Sequence, residues 1–154
     1  MKKIAVIRHA ERRGSLLSSE GQVQANRIGV KLSDLCEGKP YAILTSDEGR
    51  TILTGSVITQ TIGREPVQTI AQAHVFASWK RGFDETVKVL RGLSCESSAV
   101  IVVTHAESVA PIVWHYAEAF GITWDVPEGA NEPDYCSGFV IDLETKTIAP
   151  ISHE

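Results

Sequence analysis

Ala99-Val100-Ile101-Val102-Val103-Thr104-His105-Ala106-Glu107 is the stretch on which the fold turns. Five apolar residues, four of them β-branched, make the most hydrophobic run in the chain and stop at polar ones. A run of this kind reads as a strand covered on both faces, the central position of a parallel sheet. Beyond it, Val109, Ile112, Val113, Tyr116 and Phe120 recur at the spacing of an apolar helix face, with Gly121 just past the helix end.

The same strand-then-helix unit recurs on either side. Toward the N-terminus, Lys3 to Ile7 is a short β-branched run, and Ser18-Ser19-Glu20 supplies helix-start chemistry. Ala25, Ile28, Leu32 and Leu35 continue at helical spacing until Gly38 and Pro40. Tyr41 to Leu44 reads as a second strand. Asp47 and Glu48 suit a helix first turn, with Leu53, Val57 and Ile58 as its apolar face. Val67 to Ile70 is a short strand, and Phe83, Val87 and Leu90 a helix ended by Gly92. Gly138 to Leu143 and Thr147 to Ile151 close the chain as a strand pair. Alternation of this kind predicts a three-layer α/β/α sandwich with a mostly parallel central sheet. No internal repeat, low-complexity tract or flexible linker interrupts it.

With 154 residues, 43% hydrophobic and 22% charged, the chain has the make-up of one folded domain. A net charge of -4 argues against a nucleic-acid or anionic-membrane binder, whose footprint is basic. Neither a secretory signal nor a ~20-residue apolar span is present. The expectation is therefore a soluble, cytoplasmic protein. Cys36, Cys95 and Cys136 are odd in number and lack metal-type spacing, so they read as reduced packing thiols.

Ligands of open α/β sheets bind at the carboxyl ends of the strands. Three strands end alike here. The first runs into Arg8-His9-Ala10-Glu11-Arg12, the second into Thr45-Ser46 and a helix bearing Arg50, the third into Thr104-His105-Ala106-Glu107. Two histidines and two or three arginines would meet in one crevice, partly at helix N-termini, which makes an anion site. Arginine forks match phosphate oxygens better than lysine does, and all three segments lack lysine. A neutral imidazole can accept a phosphoryl group, and phosphoryl transfer needs mostly positioning and charge stabilisation.

These residues carry a resemblance. Arg8-His9-Ala10 resembles the Arg-His-Gly signature of the histidine phosphatase superfamily, in the Ala variant seen among small phosphohistidine phosphatases. Leu17-Ser18 through Gly21, Gln24-Ala25 and Gly29 resembles its first-helix pattern. Ser46, Arg50 and Thr54 resemble its Ser-x-x-x-Arg-x-x-x-Thr segment, and Val102-Val103-Thr104-His105 its second-histidine strand. The match runs through most of the chain in the family's order. It implies a phosphoglycerate mutase-like fold, with residues 1–154 as a single domain without a large cap. It also implies a phosphohistidine intermediate on His9, with Arg8, Arg50, His105 and Arg12 around the phosphoryl oxygens and neither metal nor organic cofactor. Glu107 is the first choice for the general acid, with Glu11, Asp84 and Glu85 as alternatives. A phosphorylated small molecule or phosphoprotein is the expected partner, met in an open pocket. Nothing bears on oligomeric state.

Taken singly, each residue has a plainer reading. His9 alone is a loop histidine, Arg8 a strand-end charge, Arg50 a helix residue pairing with Asp47 or Glu48, and Arg12-Arg13 a solvated basic pair. Glu107 suits any helix N-terminus. His105 is harder to dismiss, because an imidazole directly after a buried strand must find partners. His74, His115 and His153 are assigned structural or surface roles. Trp114 reads as packing, while Trp79 and Trp124 are packing residues or pocket lining. The long segment Trp124 to Cys136, with two prolines, is a candidate cover for the site. A phosphomutase and a non-catalytic phosphate-binding module are the competing functions. A dinucleotide site lacks its Gly-x-Gly-x-x-Gly after the first strand, and arginines beside His9 and His105 would repel a zinc ion.

Overall fold

In β1 (Lys3–Arg8), Ile4 and Val6 belong to one hydrophobic core and Ala5 and Ile7 to another, and all four are fully buried. A strand whose alternate residues are buried on opposite faces needs a layer on each side. The same split occurs in β4 (Tyr41–Thr45), between Ala42 and Leu44 on one face and Tyr41 and Ile43 on the other. It recurs in β6 (Ala99–Thr104), where Val100 and Val102 oppose Ala99, Ile101 and Val103. The layers are helices. α1 (Ser19–Cys36) and α2 (Gly49–Ile62) cover one face; α3 (Lys80–Leu93) and α4 (Ala106–Ala119) cover the other. This is the three-layer α/β/α sandwich. The computed structural model describes residues 3–72, 80–93 and 97–154, so Trp79, His74 and Cys95 lie outside the described residues.

The six-stranded sheet has the order β5-β4-β6-β1-β7-β8, with β5 (Gln68–Ala71) at one edge and β7 (Gly138–Asp142) and β8 (Thr147–Ile151) at the other. β5, β4, β6 and β1 are parallel; β7 runs against them, and β8, antiparallel to β7, runs with them again. β6 is central, as its composition predicts. Its register with β1 sets Thr104 level with Arg8, so His9 and His105 leave the sheet side by side.

Local signals act where expected. Ser18 caps α1 by accepting from the Gly21 N–H at 2.9 Å. At α2 the expectation shifts: Asp47 precedes the helix, and Glu48 is its N-cap without a side-chain capping bond. Residues 12–17 hold a small hairpin that the charged run concealed, β2 (Arg12–Arg13) against β3 (Leu16–Leu17). Gly14 turns it with φ 62°, a backbone that other residues adopt at a cost. Cys36 and Cys136 are buried free thiols, and burial pushes Cys136 up to about 12, out of reach of thiolate chemistry. Among the described residues no helix is long and apolar enough to cross a membrane.

Candidate active site

The backbone around His9 is held from three directions. Its N–H donates to the Thr104 carbonyl at 2.9 Å, tying it to the end of β6. On the other side, Arg8 N–H donates to Ser137 O at 3.0 Å, and Cys136 N–H donates to the carbonyls of Arg8 and His9. From below, the buried Ala10 N–H donates to Thr54 Oγ1 at 3.0 Å, and the same hydroxyl donates to the Arg50 carbonyl at 2.7 Å. Thr54 thus joins the loop after β1 to the first turns of α2, the helix that carries Arg50. Behind the loop, α1 packs so close that a Cβ on Gly21 would overlap the Glu11 carbonyl.

The imidazoles face each other with ring centres 5.5 Å apart, edge to face. His9 is 7% exposed and His105 2%. His9 Nδ1 lies 2.7 Å from the Ala10 carbonyl. A carbonyl only accepts, so Nδ1 carries the proton of the neutral ring and Nε2 keeps a lone pair. His105 Nε2 lies 2.9 Å from Ser46 Oγ, which in turn lies 2.7 Å from Thr51 Oγ1. Thr51 donates toward the carbonyls of Ser46 and Glu48.

Both rings are held neutral. Burial lowers His9 below its ordinary 6.5, with Arg50, Arg8 and Arg12 adding to the effect and the Ala10 carbonyl opposing it. Burial, then Arg50, His9 and Arg8, bring His105 down to about 3. Arg8 and Arg50 each keep a buried Nε with no hydrogen-bond partner among the described residues. Buried guanidinium nitrogens are ordinarily paired. Their arrangement here leaves donors ready for an anion. Another nitrogen of the Arg8 guanidinium donates to Pro133 O at 3.1 Å, and its carbon stands 3.9 Å from the centre of the Tyr135 ring.

Of the residues singled out in the sequence, Arg8, His9, Arg50 and His105 come together. Arg12 is exposed on the hairpin, near enough for its charge to act on His9. Glu107 is exposed in the first turn of α4, two residues after His105. Glu11 accepts from Ser18 Oγ at 2.9 Å and is held against the start of α1. Asp84 lies elsewhere. It pairs with His115 at 3.0 Å, nearly three turns of α4 beyond His105. Glu85 pairs with Lys88 on the outer side of α3. Trp124 is not pocket lining, because it packs edge-on against Phe139, 5.0 Å between centres, beside the core under α4.

Tyr135 escaped the sequence reading. Its ring lies 5.9 Å from that of His9 and stacks on Arg8. The flag on residues 124–136 was the available signal. Only the end of that segment, Pro133 to Cys136, reaches the site.

No protein-family model matches the chain, and no curated protein sequence matches it. Solved structures do. A protein of Agrobacterium tumefaciens assigned as the phosphohistidine phosphatase SixA is 18% identical, superposes with a TM-score of 0.67, and the alignment covers 98% of this chain and 97% of that one. The mycobacterial glucosyl-3-phosphoglycerate phosphatase in complex with vanadate is 12% identical, with a TM-score of 0.63 and 99% and 97% coverage. A phosphoglycerate mutase of Plasmodium falciparum is 19% identical, with a TM-score of 0.60 and 98% and 89% coverage. Histidine phosphatase superfamily proteins are thus what this chain is similar to in three dimensions. Its fold is the phosphoglycerate mutase-like three-layer α/β/α sandwich that they share.

Proposed function

We propose that this chain is a histidine phosphatase, hydrolysing a phosphomonoester or phosphohistidine through a phosphohistidine intermediate on His9. One observation carries the reading: two buried, neutral imidazoles stand edge to face beside two arginines whose buried Nε donors lack partners among the described residues. Unpaired buried guanidinium nitrogens are uncommon where arginine is purely structural. The similarity in fold to a phosphohistidine phosphatase and to a phosphatase holding vanadate, an oxyanion, supports the same reading.

His9 Nε2 attacks phosphorus while Nδ1–H stays on the Ala10 carbonyl. A bond forms from Nε2 to phosphorus, and the bond from phosphorus to the leaving group breaks. Arg8, Arg50 and His105 bind the three phosphoryl oxygens, whose charge grows in transfer. Arg12, exposed on the hairpin, adds charge from the rim. The departing group takes its proton from Glu107; Glu11 is the alternative donor. Water then attacks the phosphohistidine, its proton passing to the carboxylate that had donated one; the bond from Nε2 to phosphorus breaks, releasing inorganic phosphate and restoring His9 and the acid. No step calls for a metal or an organic cofactor. A phosphorylated protein or small molecule is the substrate class.

The test is turnover of a chromogenic phosphate ester in EDTA, wild type beside His9→Ala. Turnover in the wild type and none in a folded His9→Ala protein is expected. Equal turnover in both overturns the reading. Binding of tungstate with no turnover of any ester or phosphohistidine peptide would instead make it a phosphate-binding module.

A further inference from the structure

The segment that steadies Arg8 carries a second group of ligating side chains. Asp134 sits between Pro133 and Tyr135. One oxygen of its carboxylate, one ring nitrogen of His153 and one carboxylate oxygen of Glu154 all lie within 4.8 Å of one another. We propose that Asp134, His153 and Glu154 form a site for a divalent transition-metal ion of the zinc class, separate from the phosphoryl pocket.

An independent observation points the same way. His153 is 7% exposed, and its Nδ1 is enclosed with no hydrogen-bond partner among the described residues. Buried polar atoms without partners are rare, and a metal ion is a partner that an imidazole nitrogen can take. The surroundings hold the ligands in place. Lys31 on α1 donates to the main-chain oxygens of Ser152 and Glu154 and so holds this end of the chain against α1. Ser152 Oγ accepts from the Glu154 N–H at 3.0 Å. One Asp134 oxygen accepts from the Tyr135 N–H at 2.9 Å, which orients the carboxylate.

Ligand type selects the ion. An imidazole with two carboxylates favours zinc and its neighbours over magnesium or calcium, which prefer oxygen alone. Bonds of about 2.1 Å place ligand atoms about 3.4 Å apart around a tetrahedral ion. The two acids are exposed and free to close that gap around the buried imidazole. Two carboxylates also attract a cation, whereas Arg8 and Arg50 repel one from the His9 pocket. A bound ion would tie residue 134 to residues 153 and 154, and so hold the Pro133 carbonyl and the Tyr135 ring on Arg8.

The test is calorimetric titration of EDTA-treated, dialysed protein with zinc chloride, alongside thermal melting with and without zinc. Wild type should bind one zinc per chain and melt at a higher temperature with it. Asp134→Asn and His153→Gln should each weaken binding by at least about 10-fold, the lower bound for losing even an outer partner of a metal site. Asp134→Asn keeps the oxygen that accepts from Tyr135 and lies on the surface, so it decides the matter if the buried His153→Gln does not fold. Absence of zinc binding by wild type overturns the proposal, as does undiminished binding by Asp134→Asn.

Discussion

At the scale of single residues, proton placement sets what the pocket can do. His9 has its tautomer fixed by a carbonyl, which leaves the lone pair on Nε2, the atom that the proposed mechanism uses. His105 Nε2 is bonded to the Ser46 hydroxyl, which fixes how the ring is turned. Where that hydroxyl donates, Nε2 is the acceptor and the proton of the neutral ring is on Nδ1. Ser46 is therefore a positioning residue. Ser46→Ala should lower kcat/KM about 10-fold, the equivalent of one lost hydrogen bond, while Ser46→Thr, which keeps the hydroxyl, restores most of it. Equal loss in both variants would mean that Ser46 only packs. The need for an imidazole partner after β6 was legible from the apolar run before His105. Its identity was not, since Ser46 lies 59 positions away.

Between elements, the site is assembled by hydrogen bonds that join the loop after β1 to its neighbours. Thr54 is the tie to α2, accepting from Ala10 and donating to Arg50. Thr54→Val keeps the shape and strands the buried Ala10 N–H. It should cost about 1–3 kcal/mol in denaturant unfolding, with a matching loss of phosphate affinity as Arg50 loses its register. A change below about 0.5 kcal/mol would show that α2 is placed by packing alone. Helical spacing at Val57 and Ile58 announced α2 in the sequence, and both are buried. The hairpin at residues 12–17 went unread, because two-residue strands have no period to detect and Arg12-Arg13 looks like solvated charge.

For the molecule as a whole, burying two neutral imidazoles makes stability depend on pH. In the unfolded chain each histidine takes up a proton near 6.5, whereas folded His105 resists until about 3. The unfolded state thus binds more protons between those values, so stability is complete above 6.5 and falls as pH drops toward 3. His9, also lowered by burial, contributes in the same direction below 6.5. Each group adds a slope of roughly 1 kcal/mol per pH unit where fully engaged. Urea unfolding at pH 7 and pH 5 should show a smaller loss for His105→Gln than for wild type; an equal loss would count against a buried neutral ring. The layered fold and the residues at its strand ends were legible from local pattern alone. β-branched runs and helical apolar spacing are local patterns, and each names its element without reference to the rest. Only the tertiary structure decided the stacking of Tyr135 on Arg8, the link from Ser46 to His105, and the distance of Asp84 from the pocket. The reason is physical: those contacts join residues far apart in the chain, and their geometry exists only once register and packing have brought the strand ends together.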